Sequence, residues 1–464
     1  MSEEYEELEV RDALGGALRV AGAVKNAESY DELAAAISQR YAAREDYDRA
    51  VELADTINDP YTRDRTLSEV AVKAAAAGQE EYAFELLASI EDVSHQDTGA
   101  SSIAIAHAAA GEFDRAVEIA DSMEDNSATL AEIASHCAAR GEYERALSLV
   151  ERLDFPLYAA LALMRIAGSY IEAGQTSEAS SLLSQALRQA AAIDTLDEKA
   201  TTLSEIALKF SAAGQEEQAA QVLAQALAVA EHAETAYKEP ALAQIAASHS
   251  RLGQYDAAVK ITEKIEDVYQ AAPTLITLAF IEHEDETRQS EAQQLLSDAY
   301  DLVREEAPDT QSEESQRNSL LALIVRRNAE FGRPEEAQKV AESLYAPDEK
   351  HRALASAASS LAEAGKYDDA LALVKAIDDD GYKTGALLRI SRAMLTAQPD
   401  DERGLGVLSE AVSLSEGLAR PVDTVQALAD AAVTYTEAGH TERAAQLMRD
   451  ALLEIKSVKG EYGK

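Results

Sequence analysis

The side chains able to do chemistry in this chain are few and scattered. His136 and Cys137 are adjacent, and neighbours on a helix point about 100° apart, so the pair cannot share one metal ion. Cys137 is the only cysteine, which rules out a disulfide within the chain and agrees with a reducing compartment. It reads as a buried structural thiol. His107 and His249 fall at one position of a repeated pattern, which favours packing over ligation. The run His283-Glu284-Asp285-Glu286 could touch a cation, but in so acidic a chain it reads as a solvated loop. Gly404-Leu405-Gly406 follows no strand and so does not read as a phosphate-binding loop. No Gly-x-Ser-x-Gly, His-Glu-x-x-His or Cys-x-x-Cys occurs. The expectation is a protein that is not an enzyme, with no catalytic residue, cofactor or metal.

Charge narrows the partners. Among 464 residues, 85 are Asp or Glu and 42 are Lys or Arg, for a net charge of −43. Nucleic acid and anionic membrane surfaces both need a basic footprint, so neither is an expected partner. Two readings stay open: an acidic surface for a basic partner, or adaptation to a salty cytoplasm, as in a halophile. The acid is spread over the whole chain and Arg exceeds Lys, which favours the second. The first residues, MSEEYEELEV, are acidic where a signal peptide is basic, and no run of 18 apolar residues appears. A cytoplasmic protein is the expectation.

What must position these residues is a repeat. Ten sites share one turn: Glu45, Gly78, Gly111, Gly141, Gly174, Gly214, Gly253, Gly332, Gly365 and Gly439. Five residues after each comes alanine, from Ala50, Ala83 and Ala116 through to Ala370 and Ala444. The gaps 253 to 332 and 365 to 439 each hide a diverged unit, one turning near Thr287 with Ala292 at the alanine position, the other near Gln398. That makes about twelve helical hairpins. A second alanine stands seven residues before most turns (Ala71, Ala104, Ala134, Ala167), Leu stands four residues earlier (Leu67, Leu130, Leu163), and a ring often stands four before the turn (Tyr41, Tyr170, Phe210, Tyr435). Small residues let two helices approach while large ones fill the gap beside them. With 5% aromatics and no Trp, such a core suits helices better than sheets.

The order Leu, Ile-Ala, aromatic, turn glycine, Ala resembles the tetratricopeptide repeat (TPR) family over about residues 30 to 456. The resemblance implies an all-α fold, a right-handed superhelical α-solenoid of about twelve TPR-like hairpins. The family's Trp is absent, and its repeat-ending Pro is mostly absent. Five units carry a further alanine twelve residues after the turn (Ala186, Ala226, Ala299, Ala411, Ala451), and the first four are long. Six short units place Ile57, Ile90, Met123, Leu153, Ile265 or Ile377 there, and an acidic turn often follows. Residues 1–29 are expected to hold an N-terminal capping helix, 30–456 the repeat array and 457–464 a frayed tail. The stretches 305–317 and 398–403 read as loops within one array.

In the TPR family the groove is lined by first helices, ten, six and three residues before the turn. Here those positions are mostly small, such as Ala35, Ser68, Ala131 and Ala322. The Lys, Asn and Arg clamp that some members use for a terminal carboxylate has no counterpart. The larger residues on that face, Arg65, Met164, Leu208, Arg326 and Arg352, are the candidate groove contacts. Tyr61, Tyr158, Tyr237, Tyr269 and Tyr382 recur near first-helix starts, as anchors between hairpins or as a rim of aromatic contacts. The expected function is a non-enzymatic scaffold or adaptor that binds a protein or peptide segment. The alternative is a self-assembling, homo-oligomeric solenoid.

Overall fold

The structure is a computed structural model that describes residues 27–462. The expected capping helix over residues 5–25 lies outside these. The described residues form 24 α-helices, one short 3-10 helix (Glu286–Arg288) and no strand, paired as twelve hairpins. The chain divides into two units that meet in sequence at Val229 and Ala230, and six hairpins begin in each.

Hairpins 1 to 6, in the first unit, are Ala27–Ala42 with Tyr47–Ala54, Pro60–Ala76 with Glu80–Ser89, Val93–Ala110 with Phe113–Ala120, Ser127–Ala139 with Tyr143–Val150, Pro156–Glu172 with Thr176–Ala191, and Leu196–Ala212 with Glu216–Ala230. Hairpins 7 to 12, in the second, are Thr235–Arg251 with Tyr255–Thr262, Val268–His283 with Gln289–Glu305, Gln311–Glu330 with Pro334–Ala341, Pro347–Glu363 with Tyr367–Val374, Asp380–Ala397 with Glu402–Ser415, and Pro421–Glu437 with Thr441–Tyr462. Within each unit the first helices pack on one another in sequence order, forming one layer, and the second helices pack against it, each on its own first helix and most also on the next.

The turn and crossing rules read from the sequence hold. Nine turn glycines have φ between 71° and 90°, and Glu45, at φ 63°, is the only other described residue in that region. The left-handed conformation lets the carbonyls at a helix end be satisfied within one tight turn. The ten alanines five residues later are all buried, nine of them completely. In hairpin 11 that place falls to Gly404, where a Cβ would sit 3.1 Å from Met394 Cβ. The Gly404-Leu405-Gly406 run is therefore helix, with Gly404 at a close helix crossing. In hairpin 1, Ser38 replaces the first-helix alanine, and its buried hydroxyl donates to the Ala50 carbonyl at 2.8 Å.

Short and long units differ as expected. Seven second helices have 8 to 10 residues. The five with the extra alanine have 14 to 22.

Acidic loops follow several short units, and the structure explains them. In hairpin 1, Asp31 is buried and accepts from the Asn58 and Asp59 backbone N–H groups, both at 3.0 Å. One repeat on, Asp64 accepts from Asp92 N at 3.1 Å. Asp97 grips Asp125 N at 3.1 Å, and Glu239 grips Glu266 N at 3.2 Å. Each gripping carboxylate stands fourteen residues before its turn. The loop's own Asp then caps the next first helix: Asp59 accepts from Thr62 N, Asp92 from Ser94 N and Asp267 from Tyr269 N, each at 2.8 Å. Part of the acidity thus ties one hairpin to the next.

Two boundaries differ from the sequence expectation. Most of 305–317 is helix, because Thr310 accepts from Glu313 N at 3.1 Å and starts the helix at Gln311. The last helix runs on to Tyr462, past residue 456.

Candidate functional site

The histidines and the cysteine are structural in their surroundings. Cys137 is buried, and burial pushes its thiol up to about 11. His107 Nδ1 lies 2.6 Å from Glu112 Oε2 across its own turn. His249 pairs with Gln254 Oε1 at 2.7 Å, and burial lowers its pKa. His283 stacks on Phe331 with ring centroids 3.7 Å apart, and Asp285 accepts from Thr287 N at 2.9 Å to start the short 3-10 turn. Among the described residues no group of three or more His, Cys, Asp or Glu is placed to hold a metal.

The rim tyrosines divide. Tyr61 meets His95 of the next hairpin edge-on at 4.8 Å, and Tyr269 donates to the Glu313 carbonyl, also of the next hairpin, at 3.3 Å. Tyr382 leans toward His351 of the preceding hairpin, with centroids 6.0 Å apart. Tyr237 is exposed.

The candidate groove residues separate by unit. In the first, Arg65 is exposed and Leu208 half-buried. Met164 is a correction: it is 3% exposed and belongs to the core, because its thioether fills the first-helix layer instead of facing solvent. In the second unit, Arg326 on helix Gln311–Glu330 and Arg352 on helix Pro347–Glu363 come together in one cavity of about 410 Å³. Asn318, Ala322, Glu349 and Ser356 also line it. Arg326 Nε lies 3.8 Å from Glu330 Oε1, and Arg352 Nη2 lies 3.6 Å from Glu349 Oε1. Both are ion-pair separations too long for hydrogen bonds. Arg326 Nε and Glu349 Oε2 have no hydrogen-bond partner.

Helix Pro347–Glu363 also supplies Asp348 and Ala355 to a second cavity of about 930 Å³. Its further lining comes from the starts of helices Asp380–Ala397 and Pro421–Glu437 and the loops before them. Six aspartates line it: Asp348, Asp378, Asp379, Asp380, Asp423 and Asp430. Arg420 is held by Asp423 at 2.7 and 2.9 Å, and Asp379 caps its helix through Tyr382 N at 2.9 Å. Two cavities of opposite charge therefore flank one helix. The sequence pointed to the arginines as the rare large residues on a small-residue face. It gave no sign of the aspartate cavity, whose six aspartates lie on three helices and one loop.

No family model matches the chain, and no curated protein matches it. Among the solved structures it is similar to, three serve as examples, all at low scores. Ton1535 from Thermococcus onnurineus NA1 is 17% identical, covering 76% of this chain and 97% of that one, at a TM-score of 0.25. The human IFIT1 dimer with m7Gppp-AAAA is 15% identical, covering 84% and 89%, at 0.26. The apo quorum sensor NprR from B. thuringiensis is 12% identical, covering 70% and 97%, at 0.25. This chain's fold as a helical-repeat protein rests on its own twelve hairpins.

Proposed function

We propose that this chain is a non-enzymatic interaction scaffold of TPR-like hairpins, binding a protein or peptide segment on the first-helix layer of its second unit. The observation that carries this is the pair of cavities on either side of helix Pro347–Glu363, about 410 and 930 Å³, with Arg326 and Arg352 in the smaller. Charged side chains of both signs line these cavities, which suits recognition of a partner's side chains. A quantitative pull-down from the native host tests it, comparing the wild-type chain with R326E/R352E. One partner recovered by the first and lost by the second is the expected result. No reproducible partner, or one retained equally by both, counts against the reading.

A self-assembling solenoid is the second reading. The last helix leaves Met448, Leu452, Leu453 and Ile455 exposed on the terminal hairpin, apolar surface that a second copy could cover. Light scattering in molar KCl decides it: a strict monomer at high concentration removes self-assembly.

A further inference from the structure

The first and last hairpins carry two halves of a contact that the hairpins between them complete. Counted from the shared turn, the residue nine places on is buried in every hairpin before the last, save for half-buried Val150; Leu87, Leu183 and Val374 are examples. The residue twelve places before the turn is buried in every hairpin after the first, save for half-buried Leu320; Gly99, Ala162 and Ala353 are examples. These two places face each other across the joint between successive hairpins: a Cβ on Gly99, in hairpin 3, would run into the Leu87 side chain of hairpin 2. In hairpin 12 the first place holds Met448, which is 45% exposed, and in hairpin 1 the second holds Leu33, which is 40% exposed. Around Met448 the surface stays apolar, with Leu452, Leu453 and Ile455 also exposed, where the end of a solitary solenoid carries a polar outer face. In the long hairpins 5 and 8 the counterparts of Ile455, Ala190 and Val303, are completely buried.

The charges of these two hairpins match in the same way. Inside each unit an arginine just before the crossing residue reaches back to an acid two or three places after the preceding turn: Arg115 to Glu80, Arg145 to Asp114 and Arg403 to Asp368. In hairpin 1 that arginine is Arg49, ahead of Ala50, and in hairpin 12 that acid is Glu442, three places after Gly439; both are exposed. A second copy of this chain therefore brings to hairpin 12 what the next hairpin brings elsewhere: an apolar side chain for Met448 and an arginine for Glu442.

We propose that copies of this chain join head to tail, with hairpin 12 of one copy taking hairpin 1 of the next in the joint that links successive hairpins within a unit. This rests on the self-assembly reading above and names the surfaces that meet. The contact is heterologous, so each added copy presents a fresh hairpin 12 and growth passes the dimer. Copies of net charge −43 repel one another, and molar salt, with a Debye length of about 3 Å, screens that repulsion and leaves the apolar contact to decide.

Sedimentation velocity in molar KCl tests the proposal. Residues 1–26 lie outside the described residues and lead into hairpin 1, so the full-length chain is used. Wild type is expected to give a concentration-dependent series that runs past the dimer. L33E and M448E, both on exposed positions, should each be monomeric with unchanged helical signal. Their equal mixture should form a one-to-one dimer, since it holds one intact hairpin 12 and one intact hairpin 1. R49E and E442R should each weaken association about threefold, and R49E/E442R, which reverses the pair, should restore it. Dimers of L33E alone, with M448E monomeric, put hairpin 12 against itself and overturn the inference. So does an oligomer that neither substitution dissolves, or a mixture that stays monomeric; each of these leaves the self-assembly reading standing. A strict monomer of the wild-type chain at high concentration overturns both.

Discussion

Ala116 and its nine counterparts sit where two helices of a hairpin cross, and nine of the ten have no exposed surface. Enlarging the side chain has no outlet there. Ala116→Leu should destabilise the chain by about 1–3 kcal/mol through overpacking, read from the urea midpoint. Gly78, at φ 84° with no atom within 4 Å of an added Cβ, faces only a backbone cost, so Gly78→Ala should lose about 1 kcal/mol. An equal or larger loss at Gly78 would contradict the ranking. Cys137, buried with its thiol near 11, should resist a thiol reagent at pH 8 in the native chain and react fully in guanidinium. The alanines were legible because one small residue type recurs at one offset. Gly404 was not, since a glycine pair looks like a loop until Met394 is seen against it.

At the scale of the element, the loops are held by carboxylates. Asp31 accepts three hydrogen bonds from Asn58 and Asp59. Asp31→Ala strands those donors and should cost about 1–3 kcal/mol, with Asp31→Asn milder because one acceptor remains. The capping aspartates give a pH dependence. Hydrogen bonds from the Thr62, Ser94 and Thr287 side chains, with the adjoining backbone N–H groups, hold the carboxyls of Asp59, Asp92 and Asp285 below the usual range. Their folded pKa values lie below the unfolded value of about 3.9, so their stabilisation is present above that pH and lost as pH falls further. The melting temperature should hold between pH 6 and 5 and drop toward pH 3; a flat profile to pH 3 would count against these caps. Turns and second-helix lengths were legible from offsets alone. The start of helix Gln311–Glu330 was not, because its first turn, QSEE, shows no apolar period and only the Thr310 cap marks it.

For the whole molecule, a net charge of −43 on 464 residues sets self-repulsion against two layers of small-residue packing. Salt screens that repulsion, with a Debye length near 3 Å at 1 M against roughly 10 Å at 0.1 M. The melting temperature should rise from low salt to molar KCl, and helical signal should be lost on dialysis into low salt. An unchanged curve would reject salt adaptation. The hairpin array was legible because repetition multiplies a weak local pattern twelve times. The binding face was only half legible: the sequence named Arg326 and Arg352, while the cavity they share depends on two helices that bring these residues, 26 apart in sequence, side by side. The most direct test of the scaffold reading is site-specific photo-crosslinking in the native host. A photoreactive residue would replace Ala322 in the smaller cavity, Gly385 in the larger, or exposed Glu335 on a second helix as control. The same partner segment captured from Ala322 and Gly385, but not from Glu335, is the predicted result; capture from Glu335 alone, or from none of the three, would contradict it.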